Sequence, residues 1–129
     1  MPIDAITDHA RRRVTLTVTG DVTAAEVFAF IRSAEAVPGD ARPYDLLVDQ
    51  RLANVDVRTS AEARQLASAA EAAQPARRTG RIALVVSNDA MFGLARMYAA
   101  YRSQSGIAIE VFRSIEDAER WFAHRASAA

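Results

Sequence analysis

Apolar and polar positions in the last third of the chain switch between strand-like and helix-like patterns. The apolar run in Ile82–Ser87 indicates a strand that is buried on both faces, as strands of parallel sheets are. The mostly apolar stretch that follows predicts a helix over Asp89–Ser103. A strand over Ile107–Phe112 and a capped helix over Ser114–His124 come next. This order of elements is typical of a parallel α/β sheet.

The first half of the chain shows two further kinds of strand. Val14, Leu16 and Val18 alternate with threonines, which predicts a strand with one face on a core and one in water. Ile3–Thr7 is expected to pair with it as an edge strand, and Gly20 with Asp21 is expected to end it. The remaining elements are an interior strand over Tyr44–Asp49, an irregular stretch over Gln50–Arg58, and two helices with capping boxes, from Thr23 to about Ala36 and from Thr59 to about Ala73.

These elements define the expected fold class. The order is β-β-α-β-α-β-α-β-α, in a single mixed, mostly parallel α/β sheet of about five strands. The first strands are expected to be antiparallel, and the others are joined by right-handed crossovers. With 129 residues, the chain is expected to form one domain over residues 1–125, with a frayed tail over 126–129.

Composition excludes several kinds of chemistry. All 16 basic residues are Arg and there is no Cys, so Schiff-base lysines, the P-loop lysine, thiol nucleophiles and thiolate metal sites are absent. The two histidines, His9 and His124, lie near opposite ends of the chain and are not expected to form a metal site or a catalytic base. We therefore expect no enzymatic activity, no catalytic residues, no metal and no cofactor.

Charge and hydropathy also narrow the expected partners and location. The formal net charge is zero, which favours neither nucleic acid nor an anionic membrane as a partner. The start M-P-I-D-A-I-T-D has no basic or apolar signal region, and no run approaches the roughly 20 apolar residues of a membrane span. The expected location is the cytoplasm.

The whole pattern resembles the small STAS-like bacterial proteins, which are related to the anti-sigma-factor antagonists and share a fold superfamily with CRAL-TRIO lipid-transfer proteins. Four stretches within residues 10–122 carry the resemblance: V-T-L-T-V-T-G-D-V-T-A-A-E, Y-D-L-L-V-D-Q-R, R-I-A-L-V-V-S-N-D-A-M-F-G-L-A-R-M-Y and V-F-R-S-I-E-D-A-E-R-W-F. The resemblance implies the fold described above and, in function, a regulatory or protein-interaction module of unknown biological role.

The resemblance also points to a phosphorylation switch. In the sporulation-type antagonists, a Ser at the start of the second helix, in an Asp-Ser-Ser/Thr-Gly motif, is phosphorylated by a partner kinase. The corresponding candidates here are Ser60 and Thr59, although the stretch V-D-V-R-T-S-A-E-A lacks the Gly and the adjacent Asp. A phosphate would be stabilised by the helix dipole and by Arg58 or Arg64. The simpler interpretation is that Ser60 and Thr59 are unmodified helix caps.

A small-ligand site is the second candidate. Ligands of open parallel sheets bind beyond the carboxyl ends of the strands, where this chain carries Asp49, Arg51, Ser87, Asn88 and Asp89. The alternative interpretation assigns these residues to structure. Asp49 would then bind a loop amide, Arg51 would pair with a carboxylate, and Ser87 or Asn88 would cap the following helix.

The predicted helix over Asp89–Ser103 has more apolar residues than one buried face requires. Met91, Leu94, Ala95 and Tyr98 supply that face, which is expected to leave another set pointing sideways or outward: Phe92, Met97 and Tyr101. Such a surplus indicates burial against flanking helices, a ligand groove or a partner protein. We expect Phe92, Met97 and Tyr101 to form a partner or homodimer face.

Two functions remain open at this stage. The first is a non-enzymatic STAS-like interaction or regulatory module, whose partner is another protein or a second copy of the chain. The second is a small-molecule or lipid-binding domain with a pocket at the carboxyl edge of the sheet. Phosphorylation at Ser60 or Thr59 would favour the first function, and a bound ligand near Asp49 would favour the second.

Overall fold

The computed structural model of the protein describes residues 3–23, 44–56, 79–104 and 108–128, and the single positions 26, 61, 64, 65 and 68. The strands are β1 (Ile3–Asp8), β2 (Arg13–Thr23), β3 (Tyr44–Asp56), β4 (Thr79–Val85) and β5 (Ile109–Phe112). The helices within the described residues are α1 (Asp89–Ser103) and α2 (Ile115–Ala128). The helices predicted after Thr23 and Thr59 fall on segments that lie outside the described residues, apart from those single positions.

The strands form one five-stranded sheet in the order β1-β2-β3-β4-β5. β1 pairs with β2 antiparallel, and the other three pairs are parallel. This mixed, mostly parallel sheet confirms the predicted fold class. The short turn between β1 and β2 allows antiparallel pairing, whereas parallel pairs require longer crossover connections such as α1.

The two faces of the sheet carry separate apolar clusters. The larger cluster contains alternate residues of β2, β3 and β4 together with Ala95 and Ala99 of α1. The smaller cluster contains Leu47, Ala83 and Val85 of the sheet, and Ala118 and Phe122 of α2. The helices α1 and α2 therefore lie on opposite faces. Neighbouring residues of the central strands point to opposite faces, so both faces need apolar residues, and this explains their continuous apolar runs.

The ends of β2 and β3 differ from the prediction. The strand β2 continues through Gly20 to Thr23, and β3 continues through the stretch expected to be irregular to Asp56. Their parallel pairing extends to Thr23 and Asp56 after a register shift between Thr17 and Thr19. Gly20 has a φ of +72°, a conformation that glycine adopts without strain, so it bends the strand without ending it.

The last elements match the predicted order closely. The helix α1 has the predicted bounds, Asp89–Ser103, and Asn88 is its N-cap. The helix α2 begins at Ile115 and continues through Ala128, into the segment that was expected to fray. Its first turn carries Glu116 and Asp117, whose negative charges complement the positive end of the helix dipole.

Candidate functional site

The predicted ligand edge has a different shape from the one expected. Asp49 is paired with Val85, the last residue of β4, while β3 continues beyond Asp49 for the rest of its length. Asp49 therefore lies within β3 and not at its carboxyl end. The paired ends of β2 and β3 extend past the last residue of β4, so the edge is stepped.

Asp49 and Arg51 bind each other at this step. The Asp49 carboxylate accepts hydrogen bonds from Arg51 Nε at 2.9 Å, from Arg51 Nη2 at 3.0 Å and from the Arg51 backbone N–H at 3.1 Å. The side-chain hydrogen bond from Arg51 lowers the pKa of Asp49 below its usual value of 3.8, against a smaller opposing effect of burial. Asp49 in turn raises the pKa of Arg51. The pair is therefore ionised at all ordinary pH values.

Ser87 joins this pair, and Asn88 and Asp89 have other partners. The Ser87 hydroxyl donates a hydrogen bond to the backbone oxygen of Arg51 at 3.0 Å. Asn88 Oδ1 accepts a hydrogen bond from the backbone N–H of Met91 at 2.8 Å, which caps α1. Asp89 forms an ion pair with Arg113. The structure thus brings Asp49, Arg51 and Ser87 together. The contacts of Asp49, Arg51 and Asn88 are those of the structural interpretation, whereas Ser87 bonds a strand carbonyl and caps no helix.

The predicted partner face on α1 is divided in two. The exposed positions of this helix are Asp89, Ala90, Gly93, Arg96, Ala100 and Ser103. Phe92 and Met97 are half-buried on opposite flanks of that exposed stripe, because residues five apart on a helix are rotated by about 140°. Phe92 also packs against the larger apolar cluster, so its side chain lies sideways, between the core and the exposed stripe.

Arginines cover the two aromatic rings of the predicted face. The guanidinium carbons of Arg113 and Arg96 lie 4.6 and 5.9 Å from the centre of the Phe92 ring. Arg64 lies 5.1 Å from the centre of the Tyr101 ring and donates a hydrogen bond to its hydroxyl at 3.4 Å. Stacked guanidinium groups fix the orientation of an aromatic side chain and favour anionic or aromatic partners. The surface of α1 is therefore built from aromatic and arginine side chains.

A second polar cluster, at the amino ends of the strands, was not predicted from the sequence. Arg13 and Arg81 lie 4.3 and 5.3 Å from the centre of the buried Phe122 ring of α2. Arg13 Nη1 donates to Glu119 Oε1 at 2.6 Å, and Arg81 Nη1 donates to the backbone oxygen of Phe122 at 2.8 Å. These contacts attach α2 to the sheet. Arg13 ends the run Arg11-Arg12-Arg13, a pattern typical of a solvated strand end, but its side chain is only 12% exposed.

The candidate phosphorylation residues, Ser60 and Thr59, lie outside the described residues.

His9 lies beside the amino end of β3, where its Nδ1 is 2.8 Å from the Tyr44 hydroxyl. Ser87 follows the opposite end of β4. Within the described ranges, no three His, Cys, Asp or Glu side chains are grouped as metal ligands. No helix in the described part of the chain has the length and apolarity of a membrane span.

The sheet order, the antiparallel first pair and the helices on opposite faces define a STAS-like α/β fold, as the sequence resemblance implied. Among solved structures, the chain is similar to an uncharacterized protein of the DUF3478 family with a SpoIIAA-like fold from Shewanella loihica PV-4. The two share 14% sequence identity, with a TM-score of 0.56 over 93% of this chain and 91% of that chain. At this identity the similarity concerns the fold alone. No protein-family model and no curated protein matches the chain.

Proposed function

We propose that the protein is a non-enzymatic, STAS-like interaction or regulatory module that binds a partner protein through α1. The fold is consistent with this proposal, and the observation that carries it is the arrangement around Phe92. Its half-buried ring has the guanidinium groups of both Arg113 and Arg96 within 6 Å of its centre. Aromatic and arginine side chains contribute most of the binding energy in many protein interfaces, particularly where they are already ordered before binding.

The exposed stripe of α1 is suited to close contact with a partner. Gly93 and Ala100 lie on it, and a Cβ added at Gly93 would meet no atom within 4 Å. Small side chains on a helix surface allow another backbone to approach closely. Phe92 and Met97 on the two flanks would then contact the same partner from either side. A second copy of the chain is the partner that the sequence analysis predicts.

Two variants test this proposal by native mass spectrometry and analytical ultracentrifugation. Phe92→Ser combined with Met97→Ser removes both apolar flanks and is expected to abolish a homodimer. Gly93→Arg places a long side chain on the exposed stripe, where the isolated chain has room for it. It is expected to block the partner without loss of thermal stability, because Arg is a better helix former than Gly.

The matched control is Glu116→Ser combined with Arg120→Ser, which changes two exposed residues of α2. A wild-type dimer that persists in both folded α1 variants would reject α1 as the self-association surface. A wild-type chain that is monomeric at all accessible concentrations would reject the homodimer. Failure of Gly93→Arg to change binding of a heterologous partner would reject the α1 surface.

The remaining candidates from the sequence stay predictions with their own readouts. Phosphorylation of Ser60 or Thr59 would add one phosphate mass to protein purified from its host. A small ligand at the carboxyl edge would add a larger mass, which Arg51→Ala should remove. No contact of Asp49, Arg51 or Ser87 favours this second function, because these three residues bind one another.

A further inference from the structure

Part of the sheet face that carries α2 is not covered by either described helix. The apolar cluster beneath α2 draws its sheet residues from β3, β4 and β5. On β1 and β2 the same face presents Ile6, Thr15, Thr17 and Thr19, since Ile6 is paired with Thr15 and side chains alternate along each strand. We call this surface of β1, β2 and the end of β3 the open face.

Among the described residues, two large apolar side chains are strongly exposed, and both lie on the open face. Ile6 on β1 is 69% exposed and Leu52 on β3 is 76% exposed. Leu52 is paired with Thr19, which places it on the same face as the threonines. From the strand geometry, Ile6 and Leu52 are separated by about 16 Å along a diagonal across β2. The half-buried threonines between them present methyl and hydroxyl groups and no charge.

Uncompensated charge on the open face is negative. Asp4 on β1 and Asp21 on β2 are exposed and share this face with Thr17 and Thr19. Asp21 accepts a hydrogen bond from the neutral Asn54 amide at 3.2 Å, and Asp4 has no ion pair with another described residue. The other carboxylates here, Asp8 and Asp49, are neutralised by Arg11 and Arg51.

We infer that the open face is a docking surface for a positively charged segment of a partner protein that carries apolar anchor side chains. Ile6 and Leu52 provide apolar contacts at its two ends, and Asp4 and Asp21 attract the positive charge. Two carboxylates make a second copy of the same face a poor partner, because a two-fold contact would bring like charges together. They also disfavour anionic lipid headgroups and nucleic acid.

This docking surface is distinct from the surface of α1 in the proposed function, because the two lie on opposite faces of the sheet. Peptide binding to the open face and oligomer formation through α1 are therefore measured separately. The strand β1, which contributes Asp4 and Ile6 to the open face, is also an edge strand of the sheet and is largely exposed.

The experiment uses three fluorescently labelled synthetic peptides of equal length, composed of Leu and Arg, of Leu and Glu, and of Ser and Arg. Their affinities for the whole protein are measured by fluorescence anisotropy. The Leu/Arg peptide is expected to bind more tightly than the other two. Ile6→Ser combined with Leu52→Ser is expected to weaken this binding by about tenfold or more. Asp4→Asn combined with Asp21→Asn is expected to weaken it severalfold and to reduce its salt dependence.

The matched control for charge is Glu110→Gln combined with Asp117→Asn, which removes two exposed carboxylates outside the open face and is expected to leave the affinity unchanged. Unfolding curves should show all variants folded, since every substituted side chain is exposed. Equal binding of the Leu/Arg peptide by the Ile6→Ser/Leu52→Ser variant would overturn the inference. The inference would also be overturned if the wild-type protein bound the Leu/Glu peptide as tightly as the Leu/Arg peptide. A wild-type dimer that dissociates in the Ile6→Ser/Leu52→Ser variant would overturn it too, because a second copy of the chain would then cover the face.

Discussion

Asp45 of β3 and Arg81 of β4 form a bidentate ion pair at the amino ends of the strands. Arg81 Nη2 lies 2.6 Å from Asp45 Oδ2, and the Arg81 Nε and backbone N–H donate to Asp45 Oδ1 at 3.3 and 2.9 Å. Both side chains are largely buried. Since Arg81 also binds the carbonyl of Phe122, this one arginine connects two strands with α2.

Replacement of Asp45 by Ala should destabilise the fold by about 2 kcal/mol, because it leaves Arg81 partly buried without its carboxylate. The free energy of unfolding is measured by urea denaturation. The double variant Asp45→Ala/Arg81→Met provides the control and should recover part of the loss, since no unpaired charge remains. An Asp45→Ala variant as stable as the wild type would show that the ion pair contributes nothing.

Gly80 and Gly93 should respond in opposite ways to Ala. A Cβ at Gly80 would lie 2.6 Å from Asp45 Oδ1, so Gly80→Ala should displace the carboxylate from Arg81 and cost about 1–2 kcal/mol. Gly93 lies in the exposed middle of α1 with open space around it, so Gly93→Ala should stabilise the protein by about 0.5–1 kcal/mol. Thermal unfolding of the two variants compares them directly, and equal shifts would contradict the geometry.

The lowered pKa of Asp49 predicts how stability depends on pH. Because the folded-state pKa lies below the usual value of 3.8, the ionised carboxylate stabilises the native state above that value. This contribution is lost as the pH falls through the folded pKa. In Arg51→Gln, the pKa of Asp49 should rise toward 3.8, and the stability difference from wild type should be present near neutral pH and disappear in acid. NMR titration of the Asp49 carboxyl carbon measures this shift, and an unchanged titration curve would refute the assignment.

Asn88→Ala should cost about 1 kcal/mol, because the backbone N–H of Met91 loses its capping acceptor. Ser87→Ala is the matched control: Ser87 is adjacent and exposed, and its hydroxyl bonds only the Arg51 carbonyl among the contacts described above. Its effect should stay within about 0.5 kcal/mol. Chemical denaturation distinguishes the two variants, and a larger loss for Ser87→Ala would reverse the assigned roles.

Phe122 should be the most sensitive position of α2. Its side chain is 2% exposed, and two guanidinium groups lie against its ring. Phe122→Ala should therefore cost about 3 kcal/mol or more, and Phe122→Leu should cost less because it leaves a smaller cavity. The unfolding free energies of the two variants test the order. A Phe122→Leu variant as unstable as Phe122→Ala would indicate that contacts of the aromatic ring, more than its volume, stabilise α2.

Local sequence patterns were enough to predict α1 and the start of β2, because the signals for both come from residues close together in the chain. Asn88 and the apolar spacing were enough to predict α1 with both of its bounds, because a cap and a repeated apolar stripe are local signals. The alternation around Leu16 likewise indicated the β2 strand. The shape of the ligand edge and the burial of the partner-face residues on α1 were less predictable. Asp49 lies within a strand because β3 is held by β2, and Phe92 is half-buried because a sheet lies beneath it.

The sequence by itself determined the order of the described strands and helices, the mixed sheet and the absence of lysine and cysteine side chains. These follow from residue type and short-range periodicity. The tertiary structure decided where β2 and β3 end, how Arg13 and Arg81 attach α2, and which face leaves Ile6 and Leu52 exposed. Each of these depends on contacts between residues far apart in the chain. The sequence around an apolar or charged residue is the same whether or not a helix from a distant part of the chain covers that residue in the fold.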